Sequence, residues 1–322
     1  MVATSILEPV IEGLDLVDSR LNEFANSADL PYLDELLNHA FASSGKLARP
    51  ALTLLTSGFN PHGKANVITM ATAVEMLHVA TLIHDDTVDG ANTRRGKITV
   101  SAKYGQNTAV LLGDFIFAAS ATYVCNTENI TVIKRFSQTI MDLSRGQLQE
   151  TANSYKPINS INEYLQRIYL KTGSLFSTAG ESGAILSGAS DSVIQSLKEY
   201  SENIGLAFQI TDDILDLTAN EYDIGKPVGA DLQNGIITLP TIYAMEEKQC
   251  KTNIALFFTN PDDHNILEKI IEDIQKSDSL NRAYKYAAKL AENAKNRLVG
   301  LENNKHKESL ELLADFIIAR DI

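Results

Sequence analysis

The sequence predicts an all-α protein, and three observations carry that expectation. Apolar residues recur at helical spacing along almost the whole chain, the prolines fall at boundaries between such stretches, and no alternating strand–turn pattern is sustained anywhere.

Taken in order, "LDELLNHAFASS" sets Leu33, Leu36, Leu37 and Ala40 on one face at the i, i+3, i+4, i+7 spacing. "VITMATAVEMLHVATLIHDD", from Val67, is apolar on nearly every side, the mark of a buried helix rather than a surface one. The runs Asp114–Val124, Ile194–Asp216 and Leu310–Ile318 repeat the pattern. Pro50, Pro61, Pro157, Pro227, Pro240 and Pro261 mark element boundaries, with connecting loops expected near 56–66, 90–100, 153–160, 219–235 and 258–264. Composition does not shift along the chain and no Gly/Ser linker interrupts it, so residues 1–322 are expected to form a single helical domain.

The charge balance narrows the function. With 28 Lys and Arg against 41 Asp and Glu the net charge is −13, which argues against a nucleic-acid partner. An anionic substrate must then be drawn in by a local basic cluster or by bound metal. Cys125 and Cys250 are too few for a disulfide scaffold and suit a reducing cytoplasm. The N-terminus lacks a signal or transit pattern, and no apolar run approaches the ~20 residues of a membrane span. A soluble cytoplasmic protein with at most peripheral membrane contact is expected.

Two stretches echo each other: "HDDTVD" at 84–89 and "TDDILD" at 211–216. On a helix Asp85 and Asp89 share a face with Asp86 on its flank, and Asp212, Asp213 and Asp216 repeat the geometry. Stacked carboxylates repel and weaken a helix unless a cation lies between them. An acidic solvated face is the alternative, but both clusters follow apolar runs, "VATLI" and "IGLAFQI". Magnesium suits the pattern, because it takes oxygen ligands and is held by one or two carboxylates together with substrate phosphates. Two such clusters facing each other across a cavity would clamp a diphosphate.

Candidate anion donors stand close by. Arg94 and Arg95 follow the first cluster, and guanidinium groups suit phosphate through their bidentate fork. Lys46 and Arg49 lie in "GKLARP", Lys171 and Thr172 in "LKTGSLF", Gln209 just before the second cluster, and Lys226 just after it. His78 and His84, taken alone, read as packing histidines. No zinc spacing, GxSxG, P-loop or GxGxxG is present, so neither acyl chemistry nor nucleotide-type phosphate binding is indicated.

At these residues the chain resembles the trans-isoprenyl diphosphate synthase family, the polyprenyl synthetases, and more specifically its medium- and long-chain members. The resemblance runs through "GKLARP" (45–50), "HVATLIHDDTVDGANTRRG" (78–96), "LLGDFIFA" (111–118), "KTGSLF" (171–176), "AFQITDDILD" (207–216) and "GKPVGADLQNGIITLP" (225–240). It implies a helical bundle around a deep central cavity, a homodimer, and aspartate motifs facing across the cavity mouth. It assigns Lys46, Arg49, His78 and Arg95 to isopentenyl diphosphate. Arg94, Lys171, Thr172, Gln209 and Lys226 go to the allylic diphosphate, and Asp85, Asp89 and Asp212 to magnesium. Asp86, Asp213 and Asp216 complete the motifs, and the six aspartates with Lys171 form the expected catalytic group. Where many short-chain members carry a lysine after the glycine of DLxxGK, this chain has Ile236, whose side chain supplies no phosphate contact.

The implied reaction is ionisation of the allylic C–O bond, attack by the isopentenyl double bond on the resulting cation, and proton loss to the released diphosphate. Product length is expected to follow Ala80 and Thr81, one turn before Asp85, and Leu77, a turn deeper. Small residues there, and the run Ala118 to Thr122, predict a product longer than C15, serving quinone side chains. A geranylgeranyl diphosphate synthase or the non-catalytic subunit of a two-component synthase is the alternative. A class I terpene cyclase is disfavoured because it needs no isopentenyl diphosphate site.

Overall fold

The computed structural model describes residues 2–27, 29–42, 47–60, 62–94, 96–157, 160–218 and 228–319. Lys46, Arg95 and Lys226 lie outside the described residues. The helices, in chain order, are α1 (Val2–Leu7), α2 (Ile11–Ala25), α3 (Pro31–Phe41), α4 (Ala48–Thr56), α5 (Lys64–Val88), α6 (Val100–Tyr104), α7 (Gln106–Cys125) and α8 (Ile130–Asn153). They continue as α9 (Ile161–Ile168), α10 (Ser174–Leu186), α11 (Asp191–Thr218), α12 (Ala230–Gln233), α13 (Leu239–Ala244), α14 (Lys248–Thr259), α15 (His264–Lys276), α16 (Ser279–Arg297) and α17 (Lys305–Ile318). The all-α expectation holds, and the predicted apolar runs fall within α3, α5, α7, α11 and α17.

One correction concerns strands. Thr93–Arg94 (β1) and Lys97–Ile98 (β2) pair antiparallel inside the expected 90–100 loop, with Arg94 opposite Lys97. Gly96 takes φ +74, the left-handed conformation that such a tight reversal requires and a β-carbon disfavours.

The chain divides into two compact units. The first comprises Met1–Gln138, Phe176–Ser201 and Gly300–Glu311. At its centre is α5, buried almost continuously from Val67 to Ala80 because its sequence is apolar all round, and it packs on α2, α4 and most extensively on α7. Gly113 of α7 makes that approach possible: a β-carbon there would stand 2.2 Å from Nε2 of His84. Gly183 of α10 does the same against α4, where a β-carbon would meet the Thr53 carbonyl oxygen at 2.1 Å. A second correction follows from α5 and α7, which are long and apolar enough, by length and composition, to cross a membrane. For α5 the reason is its place in the core. α7 instead leaves Val110, Leu111 and Phe115 exposed on its outer side.

The second unit comprises Thr139–Leu175, Glu202–Val299 and Leu312–Ile322. Here α13 packs on α16 and α14 on α15, around a core that includes Ile254, Phe257, Ile270, Ile274 and Ala287. Between α9 and α10 the chain widens into one π-helical turn, Tyr169–Gly173, which carries Lys171 and Thr172. Such single π turns are frequent at functional sites. Gly146 of α8 lets this turn sit close, since a β-carbon there would lie 2.9 Å from the Lys171 backbone nitrogen.

Candidate active site

In the first unit α5 carries its aspartates to the helix end. Asp89 is exposed at the C-cap with its backbone nitrogen on the Asp85 carbonyl, and Asp85 is half-buried on the same face. Asp86 points the other way. It is only 6% exposed, and its Oδ1 accepts both Nε and Nη2 of Arg94 at 2.7 Å. Arg94 is aimed by the hairpin, which Thr99 ties down by donating its hydroxyl to Ala91 O while capping α6. His39 bonds the Ile98 carbonyl from the other side.

His78 is half-buried and lines a small cavity of about 50 Å³ with Glu75, Asp86, Arg94 and Lys97. Imidazole, guanidinium, ammonium and two carboxylates thus meet in one crevice. Arg49, in the first turn of α4, holds its guanidinium 4.7 Å over the Phe176 ring, a cation–π contact that fixes its direction. His84 is a packing histidine, as expected: its ring faces the Val110 carbonyl at 3.3 Å and Asp114 at 3.4 Å.

The three residues expected to set chain length differ in their surroundings. Leu77 and Ala80 are fully buried, whereas Thr81 is half-buried, shares the Asp85 face and donates its hydroxyl to His78 O. On α7, Ala118 and Thr122 are exposed and Ala119, Ala121 and Tyr123 half-buried.

In the second unit the second aspartate motif ends α11. Asp212 and Asp216 are half-buried, while Asp213 is buried at 3% exposure. Its Oδ2 accepts the Tyr164 hydroxyl at 2.6 Å and its Oδ1 the Gln209 side-chain amide at 2.8 Å, and Gln209 Oε1 accepts the Thr172 hydroxyl at 2.6 Å. Burial pushes the Asp213 carboxyl well above the usual carboxylate range, with the nearby Asp231 adding to it and the two donors opposing. The Tyr164 hydroxyl is likewise held well above its ordinary value by burial and by Asp213, so it stays a donor.

Lys171 donates to Glu150 on α8, a buried carboxylate that Arg167 also approaches at 4.0 Å, and Arg167 donates to the Ile237 carbonyl at 2.6 Å. Asp216 anchors the next segment: its carbonyl accepts Gly229 N at 2.8 Å and its Oδ2 accepts Asp231 N at 3.2 Å. Ile236 is half-buried at the end of that turn and offers no polar group.

Glu150, Tyr164 and Arg167 were not among the predicted site residues. A signal for two of them exists: Tyr164, Arg167 and Lys171 stand at i, i+3 and i+7, a polar stripe through "YLQRIYLK".

The fit to a cation can be judged from the helix ends. α5 and α11 both terminate in carboxylates and neither has a basic residue in its last turn. The C-terminal end of a helix is the negative end of its dipole, so these aspartates are placed where a negative charge is least stable. A divalent ion at each end reverses that penalty. Among the described residues no group of three or more His, Cys, Asp or Glu side chains forms a metal cage. Asp85 with Asp89, and Asp212 with Asp216, stand one helical turn apart, a carboxylate spacing that suits such an ion together with phosphate oxygens and water.

Comparison with known proteins points the same way. The sequence pattern of the family described as polyprenyl synthetase matches residues 30–286. A prenyl transferase of Synechocystis sp. is 36% identical over 98% of both chains. Among solved structures, heptaprenyl diphosphate synthase from Staphylococcus aureus superposes with a TM-score of 0.92 at 34% identity, covering 97% of this chain and 98% of that one. A polyprenyl synthase from Caulobacter crescentus, complexed with calcium and isoprenyl diphosphate, gives 0.93 at 29% identity, covering 99% of this chain and 98% of the other.

Proposed function

The chain belongs to the polyprenyl synthetase family, and on that premise we propose that it condenses isopentenyl diphosphate with an allylic diphosphate, using magnesium, to make a polyprenyl diphosphate longer than C15 for quinone side chains. Being a prenyltransferase acting on isoprenyl diphosphates follows from the family itself. The observation that carries the finer reading is the repeat. Each aspartate motif ends a helix, sets two carboxylates one turn apart, and turns its middle aspartate inward onto a donor of the expected diphosphate set, Arg94 in one case and Gln209 in the other.

The residues then have separate tasks. Asp85, Asp89 and Asp212 would hold the metal, which would neutralise charge on the departing diphosphate. Arg94, aimed by Asp86, and Lys171, tethered by Glu150, bind the allylic diphosphate with Thr172 and Gln209, and Lys226 belongs to the same set. Lys46, Arg49, His78 and Arg95 bind isopentenyl diphosphate. As the allylic C–O bond breaks, its electron pair leaves on the diphosphate oxygen, where these donors stabilise the developing charge. The isopentenyl double bond supplies the pair for the new C–C bond, and the proton it releases passes to the freed diphosphate. No side chain needs to act as a nucleophile.

The likeness to a heptaprenyl diphosphate synthase supports a product beyond C15. Thr81, small and half-buried on the Asp85 face, is the residue that keeps the path open. The outer side of α7, with Val110 at 44%, Leu111 at 69% and Phe115 at 41% exposure, supports a homodimer that covers it. The site of action is proposed to be the cytoplasm.

The test is the purified chain alone, incubated with isopentenyl and farnesyl diphosphates and magnesium, with products sized by chromatography and the oligomer by light scattering. Products longer than C15 from a dimer are expected. No condensation without a second protein would instead favour the subunit of a two-component synthase.

A further inference from the structure

We propose that Tyr164, which belongs to none of the sequence motifs, is a positioning residue for the allylic half of the reaction, acting through Asp213 on Gln209 and Thr172. The inference rests on the function proposed above and deepens it. Its basis is a chain of three hydrogen bonds that ends at the π turn: Tyr164 Oη to Asp213 Oδ2 at 2.6 Å, Gln209 Nε2 to Asp213 Oδ1 at 2.8 Å, and Thr172 Oγ1 to Gln209 Oε1 at 2.6 Å.

The polarity of that chain is fixed by chemistry. Tyr164 and Gln209 both donate to Asp213, so the Gln209 amide turns its NH2 to Asp213 and its oxygen to Thr172. The Thr172 hydroxyl is then committed as a donor to Gln209, and its lone pairs are what it presents elsewhere. One Gln209 amide proton is used by Asp213, and the second is left for a ligand. Reversing the amide would exchange these roles and point a carbonyl oxygen at an anionic substrate. Reversal is opposed because Asp213 Oδ1 is kept as the acceptor facing Gln209, and Tyr164 holds the carboxyl in that place by donating to its second oxygen.

Tyr164 is suited to that task by its place. Its ring is 3% exposed on α9, and Tyr164, Arg167 and Lys171 follow one another along the helix and into the π turn. Arg167 lies with its guanidinium 5.6 Å from the Tyr164 ring centroid and donates onward to Ile237 O. One face of this segment therefore sets the lysine, the threonine and, through Asp213, the glutamine that the allylic diphosphate is expected to meet. Removing the hydroxyl leaves a buried carboxylate oxygen without its donor while keeping the ring that packs.

The experiment compares wild-type protein with Tyr164→Phe, varying each substrate separately. The expected result is a loss of about tenfold to a hundredfold in kcat/KM for the allylic diphosphate, the scale of leaving one buried acceptor unsatisfied. KM for isopentenyl diphosphate should stay within about twofold, because its donors lie outside this network. Calorimetric titration with inorganic diphosphate and magnesium, which needs no turnover, should show weakened binding in the variant. A double-mutant cycle with Asp213→Asn should be strongly non-additive, since both changes break the same link.

Equal losses for both substrates, or unchanged allylic kinetics and diphosphate affinity in Tyr164→Phe, would overturn the proposal. Should Tyr164→Phe fail to fold, Gln209→Glu reads the same chain: it places a second carboxylate against Asp213 and should lose diphosphate affinity, and retained affinity would count against the network. Wild-type protein run alongside separates the two levels of inference. An inactive wild type counts against the proposed reaction, and an active wild type with an indifferent Tyr164→Phe counts against Tyr164 alone.

Discussion

Neutralising two aspartates of one motif should have opposite effects on stability, because one faces in and the other faces out. Asp86 has a side chain 9% exposed, and Arg94, its partner, is 25% exposed. Both nitrogens of the guanidinium fork bond one oxygen at 2.7 Å. Asp86→Asn keeps the shape and removes the charge, turning two charge-assisted bonds of about 1.5–3 kcal/mol into neutral ones of about 0.5–1.5 kcal/mol. The expected loss is about 2–3 kcal/mol, below the ~3–5 kcal/mol seen when one partner of a buried pair is deleted outright. At roughly 2 °C per kcal/mol for a chain of this size, Tm should fall by about 4–6 °C.

Asp89 has no such partner among the described residues. It is exposed at the C-cap of α5, where the helix dipole disfavours a negative charge. Without metal, Asp89→Asn should raise stability by about 0.3–1 kcal/mol, or roughly 1–2 °C in Tm. Activity should separate the pair as well. Asp89→Asn should raise the magnesium concentration needed for half-maximal turnover, whereas Asp86→Asn should leave it close to wild type and raise KM for the allylic diphosphate through a misaimed Arg94. Calorimetric melting in chelator and a magnesium titration of initial rate measure both halves. A stable Asp86→Asn with a destabilised Asp89→Asn would refute the inward and outward assignment, and so would equal shifts in magnesium dependence.

Thr81→Phe should shorten the product, read by chromatography, while Ala80→Phe should chiefly destabilise, by about 1–3 kcal/mol, because Ala80 is already fully buried and the larger ring must overpack the core. His306, half-buried against Gly58, has its pKa lowered by burial, so it contributes stability that is present above its unfolded value near 6.5 and is lost as pH falls through the lower folded value. His306→Gln should therefore flatten the acid limb of a Tm–pH profile below pH ~6.5 and leave Tm at pH 8 comparatively unchanged. Burial pushes the Cys250 thiol up to about 11, whereas Cys125 is exposed, so iodoacetamide at pH 8 should label Cys125 in the native protein and Cys250 only in denaturant. Peptide mapping by mass spectrometry reads the difference.

Much of the fold was legible because its signal is local. α5 declares itself by being apolar on every side, and α3 by one stripe of leucines, since 3.6-residue periodicity is written into consecutive residues. The hairpin at 93–98 was not legible, because strands of two residues cannot show an alternation and their register rests on one glycine conformation. The site divides in the same way. Stacked aspartates on a helix that is otherwise apolar demand a cation, and that demand can be read without a structure. Which aspartate faces inward cannot, because neighbours on a helix differ by only 100° and both lie near the edge of the apolar face.

The answer comes from partners that are distant in sequence: Arg94 lies eight residues from Asp86, and Tyr164 forty-nine from Asp213. Those partners also make the two motifs inequivalent, although they read alike. Asp86 is answered by a cation and Asp213 by a phenol and an amide. Asp86→Asn leaves a guanidinium of 25% exposure without its counterion, while Asp213→Asn leaves the neutral Tyr164 and Gln209 donors facing it. An uncompensated buried charge is the more costly of the two. The same substitution at matching positions of the repeat therefore acts mainly on stability at 86 and mainly on the aim of Gln209 and Thr172 at 213.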